Sequence, residues 1–347
     1  MTMHMADALL SPTVGGVMWA ASGGLVVYCS RKLRDATDGM SVPLMGVMGA
    51  FIFAAQMINF TIPGTGSSGH LGGGMLLSIL LGPYAAFLTI ASVLVVQALF
   101  FADGGLLALG CNIFNLGFFP CFIAYPLLYK PLAGENPTRG RIIAGSILGA
   151  VLSLQLGAFG VVLETMASGI SELPFHVFVM LMQPIHLAIG VVEGLVTAAV
   201  ALFIFSARPE ILRIAAGHAA ATGFSMKKVL AVLGITAILT GGALSWFASA
   251  YPDGLEWSMA KTSGKEELEA PEDGVHGALA SLQEKTAFLP DYAFKASQGE
   301  AVEAEPVEPA WPAVEAGASV SGIVGGGLTL LLAGAVGLFL KNRRKPV

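Results

Sequence analysis

The chain has 347 residues, of which 55% are hydrophobic and only 12% are charged. Charged side chains make up about a quarter of a soluble globular domain, so this composition excludes an ordinary soluble protein and indicates a membrane protein. Eighteen Lys and Arg residues against 23 Asp and Glu residues give a net charge of -5. This balance argues against nucleic-acid binding, because phosphate contacts need clustered positive charge.

Long apolar runs predict an all-α fold, a polytopic transmembrane helical bundle in the lipid bilayer. Crossing the hydrocarbon core takes about 20 helical residues. Full-length spans are predicted at residues 13–30, 43–61, 84–102, 105–129, 141–163, 184–206, 228–249 and 320–340.

Basic residues predict the orientation of these spans. Fourteen of the 18 basic residues lie in four groups beside apolar runs: Arg31, Lys32 and Arg34; Lys130, Arg139 and Arg141; Arg208, Arg213, Lys227 and Lys228; and Lys341, Arg343, Arg344 and Lys345. The segment 251–319 instead holds 14 of the 23 acidic residues. By the positive-inside rule the four groups are cytoplasmic and the acidic segment is external. We therefore expect the N-terminus outside and the C-terminus in the cytoplasm.

This orientation requires one more crossing between residues 61 and 105. The segment from Gly69 to Pro83, GHLGGGMLLSILLGP, is apolar and ends in a Gly-Pro helix breaker. It is short for a span, so we expect it to dip through a thinned or protein-lined region, where transporters often place their binding sites. The prediction is about seven crossings up to residue 206 and two more after it.

A polar and basic stretch near residues 207–227 divides the chain into two predicted domains, residues 1–215 and residues 216–347. The second domain has two spans flanking the acidic segment 251–319, which is rich in Glu, Ala and Pro. Such a composition buries little apolar surface, and we expect this segment to be largely flexible. No basic residue precedes the first apolar run, so the run lacks the charged start of a secretory signal peptide and is expected to stay in the mature chain.

The N-terminus, MTMHMADALLSP, is the first candidate site. A free amine, the amide nitrogens after it and a His imidazole can close five- and six-membered chelate rings, and the resulting planar nitrogen set suits Ni(II) and Cu(II). With Met3 as the first residue, the Met3 amine and the amide and imidazole nitrogens of His4 supply three nitrogens and leave one position open. With Met1 removed, Thr2, Met3 and His4 supply four. The alternative is an incidental His near a chain end.

His70 is the second candidate, because it lies in PGTGSSGHLGGG with five Gly residues within four positions of it. A glycine-rich backbone can approach a neighbouring group closely. An ionisable side chain where a polar loop meets the membrane is a functional candidate. The alternative is a solvated His in an external loop. Together, His4 and His70 can complete a site of four nitrogens.

Polar residues inside the spans form a third set of candidates. His186 and Glu193 are seven residues apart, which places them on one helical face about two turns apart, and such groups usually face the bundle interior. We expect one of two roles for these two residues and Asn59. They either hydrogen-bond to the metal ligands without contacting the ion, or they line the path of the ion. A structural hydrogen bond is the alternative for each residue. A membrane enzyme or a regulatory membrane scaffold that uses His186 and Glu193 is the alternative function.

Several motifs resemble a known family. MHMADALLSP is similar to the opening of the CbiM/NikM family, the substrate-binding membrane subunits of energy-coupling-factor nickel/cobalt transporters. The glycine-rich segment around His70, the run GPYAAFLTIASVLVVQALFFADGG and PIHLAIGVVEG also resemble that family, and the similarity covers residues 3 to about 215. The resemblance implies the substrate-capture component of an ATP-driven importer for Ni(II) or Co(II) in a prokaryotic cell membrane, and not an enzyme.

The resemblance also implies a ligand set. Met3 supplies its amine, His4 its amide and imidazole nitrogens, and His70 the fourth nitrogen to a square-planar ion. This chain carries Met1 and Thr2 ahead of the usual start of the family. If these residues are real, the amine moves and His70 is displaced or becomes an axial ligand; a misassigned start codon is the simpler account.

The motif YPDGLEWSMA at residues 251–260 resembles a PDGLE-type auxiliary domain, similar to the small CbiN/NikN subunits, fused behind the first domain. The family implies two kinds of partner, a CbiQ/NikQ-like transmembrane coupling subunit and CbiO/NikO-like cytoplasmic ATPase subunits. The sequence has no GxxxxGK[ST] loop to hold ATP, so ATP is expected to be used by the partners. No cofactor of its own is expected; the transported ion is Ni²⁺ or Co²⁺, and the residues do not distinguish the two.

Overall fold

The structure is a computed structural model of the full chain. It describes residues 4–36, 41–171, 173–217, 225–265, 268–295 and 311–343. The predicted ligand Met3 and the alternative first residues Met1 and Thr2 lie outside the described residues.

The described part of the chain is helical apart from one short hairpin. The helices are α1 (Pro12–Ala36), α2 (Ser41–Gln56), α3 (Gly74–Leu81), α4 (Pro83–Phe101), α5 (Leu109–Ala133), α6 (Arg139–Ser168), α7 (Phe175–Ala207), α8 (Pro209–Ala215), α9 (Lys227–Gly242), α10 (Gly254–Ser263), α11 (Gly274–Thr286) and α12 (Ala316–Asn342). The middle of α5, Phe114–Tyr129, is a π-helix. Single 3-10 turns occur at Asp7–Leu9, Leu244–Phe247 and Pro290–Tyr292, and strands β1 (Phe60–Ile62) and β2 (Ser67–Gly69) pair antiparallel.

Six of these helices, α1, α4, α5, α6, α7 and α12, are long and apolar enough to cross a membrane. The chain is therefore a multi-pass membrane protein with an all-α helical bundle, as predicted. Helix α2 is shorter, because the chain leaves it at Gln56 and enters β1, whereas the sequence predicted a span to residue 61. Helix α7 is longer than predicted, since it begins at Phe175 and continues through Pro184.

The predicted short crossing is a buried half-helix. Helix α3 has eight residues, all buried, and at 1.5 Å per residue it extends only about 12 Å, well under the roughly 30 Å of a hydrocarbon core. Gly73 and Gly82 flank it with φ of 78° and 76°. A Cβ on Gly82 would lie 2.9 Å from the Ala215 carbonyl oxygen, so this end of α3 backs onto α8. Backbone that is short for a span is thus enclosed by protein.

The described part of the acidic segment contains helices that pack on the bundle, whereas composition predicted a largely flexible segment. Helix α10 begins with a capping box. The Asp253 side chain accepts a hydrogen bond from the Glu256 backbone amide, and the Glu256 side chain accepts one from the Asp253 backbone amide. Leu255 and Met259 are buried in one cluster with Met5 at the N-terminus. The high Glu, Ala and Pro content predicted little burial, but a few apolar side chains of this segment pack against the bundle. Residues 296–310 lie outside the described part.

Candidate metal centre

The N-terminal segment is enclosed by the bundle. His4 is 4% exposed, and Met5, Leu9 and Leu10 are at most 1% exposed. The backbone of Met5 pairs with the side chain of Asn112 on α5, since its N–H donates to Oδ1 and its carbonyl accepts from Nδ2, both at 3.1 Å. The backbone at His4 and Met5 is therefore enclosed by protein.

The N-terminal segment packs against the loop after α4, where two glycines without side chains allow close contact. Ala102 ends α4 in the left-handed region at φ 55°, and Gly104 follows at φ 79°. A Cβ on Gly104 would lie 2.9 Å from the His4 Cβ, and a Cβ on Gly105 would overlap Asp7. These glycines therefore permit the close approach of the N-terminal segment.

Asp103, between these residues, holds the His4 ring. The Nδ1 atom of His4 lies 3.0 Å from Oδ1 of Asp103, and both side chains are buried. Burial raises the pKa of Asp103, but the charge and hydrogen bond of His4 and the hydrogen bond of Tyr292 outweigh it, so the pKa is lower than usual. Because a carboxylate oxygen accepts hydrogen bonds, Nδ1 of His4 is the donor in this contact. Nε2 of His4 is buried without a hydrogen-bond partner among the described residues.

His70 lies beside His4, with ring centroids 5.3 Å apart and ring planes at 57°. It follows strand β2, and the two residues between it and Gly73 lead into α3. The amides of Gly72 and Gly73 donate to the two carboxylate oxygens of Glu193 on α7, at 2.7 and 3.1 Å. Glu193 therefore fixes the backbone that carries His70, and it is 2% exposed.

A cavity of about 80 Å³ lies against these residues. His4, His70 and His186 all line it, and Nδ1 of His186 donates to the Met182 carbonyl at 2.8 Å. A space of this size holds several waters or a single ion with part of its hydration shell. Asn59 does not line the cavity; its carbonyl accepts a hydrogen bond from the Ser249 amide at 2.7 Å. The structure thus brings His186 to the candidate site and leaves Asn59 outside it.

The C-terminal part of the chain closes one side of the cavity. Asp253 and Gly254, from the PDGLE motif, belong to its lining. The Ser68 amide donates to the Pro252 carbonyl at 2.8 Å, which joins this motif to the hairpin before His70. Burial raises the pKa of Asp253, although the nearby His70 opposes the shift.

Side chains alone do not make a complete site. Within the ranges that the structure describes, no group of three or more His, Cys, Asp or Glu side chains is arranged to hold a metal ion. Backbone nitrogens would have to contribute the remaining ligands, and in a chelate that includes the His4 amide the imidazole must bind through Nδ1. In the structure Nδ1 contacts Asp103 instead.

Sequence reasoning missed three residues of this region, Asp103, Asp253 and Tyr292. The first two lie in motifs that the sequence did single out, FFADGG and YPDGLE, yet the acidic residue of each motif was not considered as part of the site. Tyr292 carries no local signal, since it lies 189 residues from its partner Asp103.

Comparisons with known proteins agree with this architecture. The family described as "Cobalt uptake substrate-specific transmembrane region" matches residues 4–211, and the PDGLE domain matches residues 227–342. A fused nickel transport protein NikMN of Rhodobacter capsulatus is 32% identical over 84% of this chain and 88% of its own length. A putative fused NikMN of Archaeoglobus fulgidus is 37% identical over 60% of this chain and 68% of its own length. A crystal structure of a transition metal transporter superposes with a TM-score of 0.53 at 30% identity, covering 61% of this chain and 97% of that one.

The fold, the buried pair of His4 and His70, and these similarities define a membrane component of metal uptake. The chain belongs to the CbiM family of cobalt uptake transmembrane proteins, here joined to a C-terminal PDGLE domain. The family resemblance predicted from the sequence is confirmed, and the family is one of transporters and not of enzymes.

Proposed function

We propose that the chain is the substrate-capture component of an ATP-driven energy-coupling-factor importer, and that it holds Ni(II) or Co(II) with its N-terminal nitrogens and His70. The observation that carries this proposal is the burial of His4 beside His70. The relatives named as nickel or cobalt transport proteins support the choice of ions.

Nitrogen ligands in a plane suit Ni(II). Met3 would contribute its amine, His4 its amide and Nδ1, and His70 one imidazole nitrogen. These groups are neutral or become anionic on binding, so binding releases protons and weakens as the pH falls. The carboxylate of Asp103, next to His4, offsets part of the charge of the ion.

Binding through Nδ1 requires the His4 ring to turn. A half-turn about the Cβ–Cγ bond moves Nδ1 away from Asp103 and brings Nε2 to the Asp103 side. The Nε2 proton would then be donated to the carboxylate. A metal-bound His whose second nitrogen donates to a carboxylate is the usual arrangement in metalloproteins, so Asp103 can serve both the empty and the loaded state.

The His4 end of the bundle would face outward. The basic residues at 31–34, 130–141, 208–213, 227–228 and 341–343 lie at the opposite ends of their helices, which supports a cytoplasmic location for that end in a prokaryotic cell. Energy would come from ATPase subunits, acting through a transmembrane coupling subunit, since this chain has no ATP-binding loop of the P-loop type.

The proposal is tested by calorimetric titration of the full chain in detergent with NiCl₂ and CoCl₂. We expect binding in a chain that begins at Met3 and loss of binding in His4→Ala, in His70→Ala, and in an extended chain that keeps Met1 and Thr2 ahead of Met3, because each change removes or displaces a ligand. His176→Ala is the matched control, since this His is exposed at the start of α7 and its substitution should leave binding unchanged. Wild-type affinity in His4→Ala and in the extended chain would refute the ligand set.

The transport step needs a separate test in cells. Cells that express this chain together with coupling and ATPase subunits should accumulate radioactive nickel or cobalt, and cells that lack the ATPase subunits should not. Accumulation that is independent of those subunits would contradict ATP-driven import while leaving metal capture intact.

A further inference from the structure

Tyr292, from the C-terminal part of the chain, reaches the group that holds His4. Its hydroxyl donates to Oδ2 of Asp103, while Oδ1 of the same carboxylate faces Nδ1 of His4. The Tyr292 ring is stacked on Phe101 at the end of α4, with centroids 5.1 Å apart and planes at 18°. Each oxygen of the Asp103 carboxylate therefore has a hydrogen-bond partner: His4 from the N-terminal segment and Tyr292 from the C-terminal part of the chain.

The backbone around Tyr292 is strained, which separates this contact from ordinary packing. Asp291 and Tyr292 have φ of 50° and 59°, two consecutive residues other than Gly in the left-handed region. Such conformations persist only where the surroundings enforce them, and they cluster at functional sites. Here the Leu289 amide donates to the Phe100 carbonyl at 3.3 Å, and the Tyr292 amide donates to the Leu289 carbonyl at 3.2 Å. The turn is thus tied to the end of α4 immediately before Asp103.

The hydroxyl of Tyr292 also belongs to a chain of hydrogen bonds that reaches the segment carrying His70. Gln97 donates from Nε2 to the Tyr292 hydroxyl at 3.3 Å and to Oε1 of Gln56 at 3.0 Å. Gln56 donates to the Gly72 carbonyl at 3.0 Å. Gln56 and Gln97 are both fully buried. Polar groups at this depth are costly unless they are paired, and these bonds connect the two histidine-bearing segments.

We propose that Tyr292 is a positioning residue for metal capture: it fixes the Asp103 carboxylate beside the His4 ring, both before and after that ring turns to bind the ion, and it connects this carboxylate to the His70 segment through Gln97 and Gln56. This inference rests on the proposed function of the His4 and His70 site. It gives the PDGLE domain a direct part in the geometry of a site whose ligands belong to the other domain. Groups that orient a metal ligand from outside typically change metal affinity by about 10- to 100-fold when they are removed.

Tyr292→Phe tests the role of the hydroxyl alone, because the ring and its stacking on Phe101 remain. In the full chain titrated with NiCl₂ by calorimetry, we expect the affinity to fall by about tenfold or more. Tyr125→Phe is the matched control, since the Tyr125 hydroxyl donates to the Ala215 carbonyl far from the site and its loss should leave the affinity unchanged. Wild-type affinity in Tyr292→Phe would overturn the inference.

A double-mutant cycle tests whether Tyr292 acts through Asp103. If it does, Tyr292→Phe should add little to the loss caused by Asp103→Asn, because the two changes break one connection. Fully additive losses would show that the hydroxyl acts elsewhere and would overturn the inference. If Tyr292→Phe does not fold, Gln97→Met removes the hydrogen bond on the other side of the hydroxyl; reduced affinity would support the inference and wild-type affinity would refute it.

The two proposals fail in distinguishable ways. Wild-type affinity in Tyr292→Phe, together with lost binding in His4→Ala, removes the positioning role and leaves the metal site standing. Unchanged binding in both His4→Ala and His70→Ala removes the proposed site itself, and the inference about Tyr292 with it.

Discussion

The Nδ1 atom of His4 lies 3.0 Å from Oδ1 of Asp103, a contact that joins the N-terminal segment to the residue after α4 across 99 positions. It places a buried carboxylate beside one of the candidate metal ligands. A buried carboxylate is retained only with partners that offset its desolvation, and here His4 and Tyr292 supply them. The account therefore depends on Asp103 as much as on the histidines.

Asp103→Asn should weaken Ni(II) binding by about 10- to 100-fold, because it removes the negative charge beside His4 while keeping an oxygen that can accept a hydrogen bond. Calorimetric titration with NiCl₂ measures the change. Glu269→Gln is the control, since this exposed carboxylate belongs to the same end of the protein and its substitution should have no effect. Equal affinities in wild type and Asp103→Asn would remove the carboxylate from the site.

Glu193→Gln should destabilise the His70 segment, because an amide side chain can offer its oxygen to only one of the Gly72 and Gly73 amides. A buried N–H left without an acceptor costs about 1–3 kcal/mol. A lower melting temperature and weaker Ni(II) binding are both expected.

Glu164→Gln on α6 is the matched control for Glu193→Gln. Glu164 is also buried, but its donors are the side chains of Asn115, at 2.8 Å, and Cys111, and not the backbone that carries His70. An equal loss of binding in the two variants would contradict the specific role of Glu193.

Gly105→Ala should disturb the packing of the N-terminal segment against the loop after α4, because the added Cβ would overlap Asp7. Overpacking of this kind costs about 1–3 kcal/mol, and we expect a lower melting temperature together with weaker metal binding. Gly16→Ala is the control, since nothing lies within 4 Å of the Cβ position and Ala is favoured in a helix by about 1 kcal/mol. Normal binding in Gly105→Ala would show that the segment tolerates displacement.

The pH dependence of stability should carry a contribution from Asp7. Burial raises the pKa of its carboxyl above the usual 3.8, although hydrogen bonds from the Ala108 and Leu107 amides oppose the shift. A raised pKa in the folded state means that the contribution is fully present below pH 3.8 and is lost as the pH rises through the raised value.

Asp7→Asn removes this titration, and a series of melting curves checks it. Wild type should be most stable relative to Asp7→Asn at the acid end of the series and should lose that advantage as the pH rises toward neutrality. A difference that stays constant, or that grows in favour of wild type with rising pH, would contradict the assignment.

The sequence predicted a helix correctly where the length of an apolar run was the deciding feature. The long spans and the glycine-flanked half-helix α3 were predictable because lipid forces backbone groups to pair within helices. The end of α2 at Gln56 and the hairpin before His70 were not, because they depend on contacts with residues 249–253, almost two hundred positions away.

The candidate site was predicted only in part, for a similar reason. His4, His70 and Glu193 stood out as ionisable groups beside glycines or inside a span. The roles of Asp103 and Tyr292 depend on their contacts with each other and with His4. These contacts join residues far apart in the sequence, so no local pattern predicts them. Composition was misleading for residues 251–295, where a few apolar side chains outweigh many polar ones.

X-ray absorption at the nickel K edge of the full chain loaded with one equivalent of NiCl₂ tests the central claim most directly. The account predicts four nitrogen ligands in a square plane, with the histidine scattering reduced in His70→Ala. Sulfur ligands, a six-coordinate ion, or a spectrum unaffected by His70→Ala would contradict it.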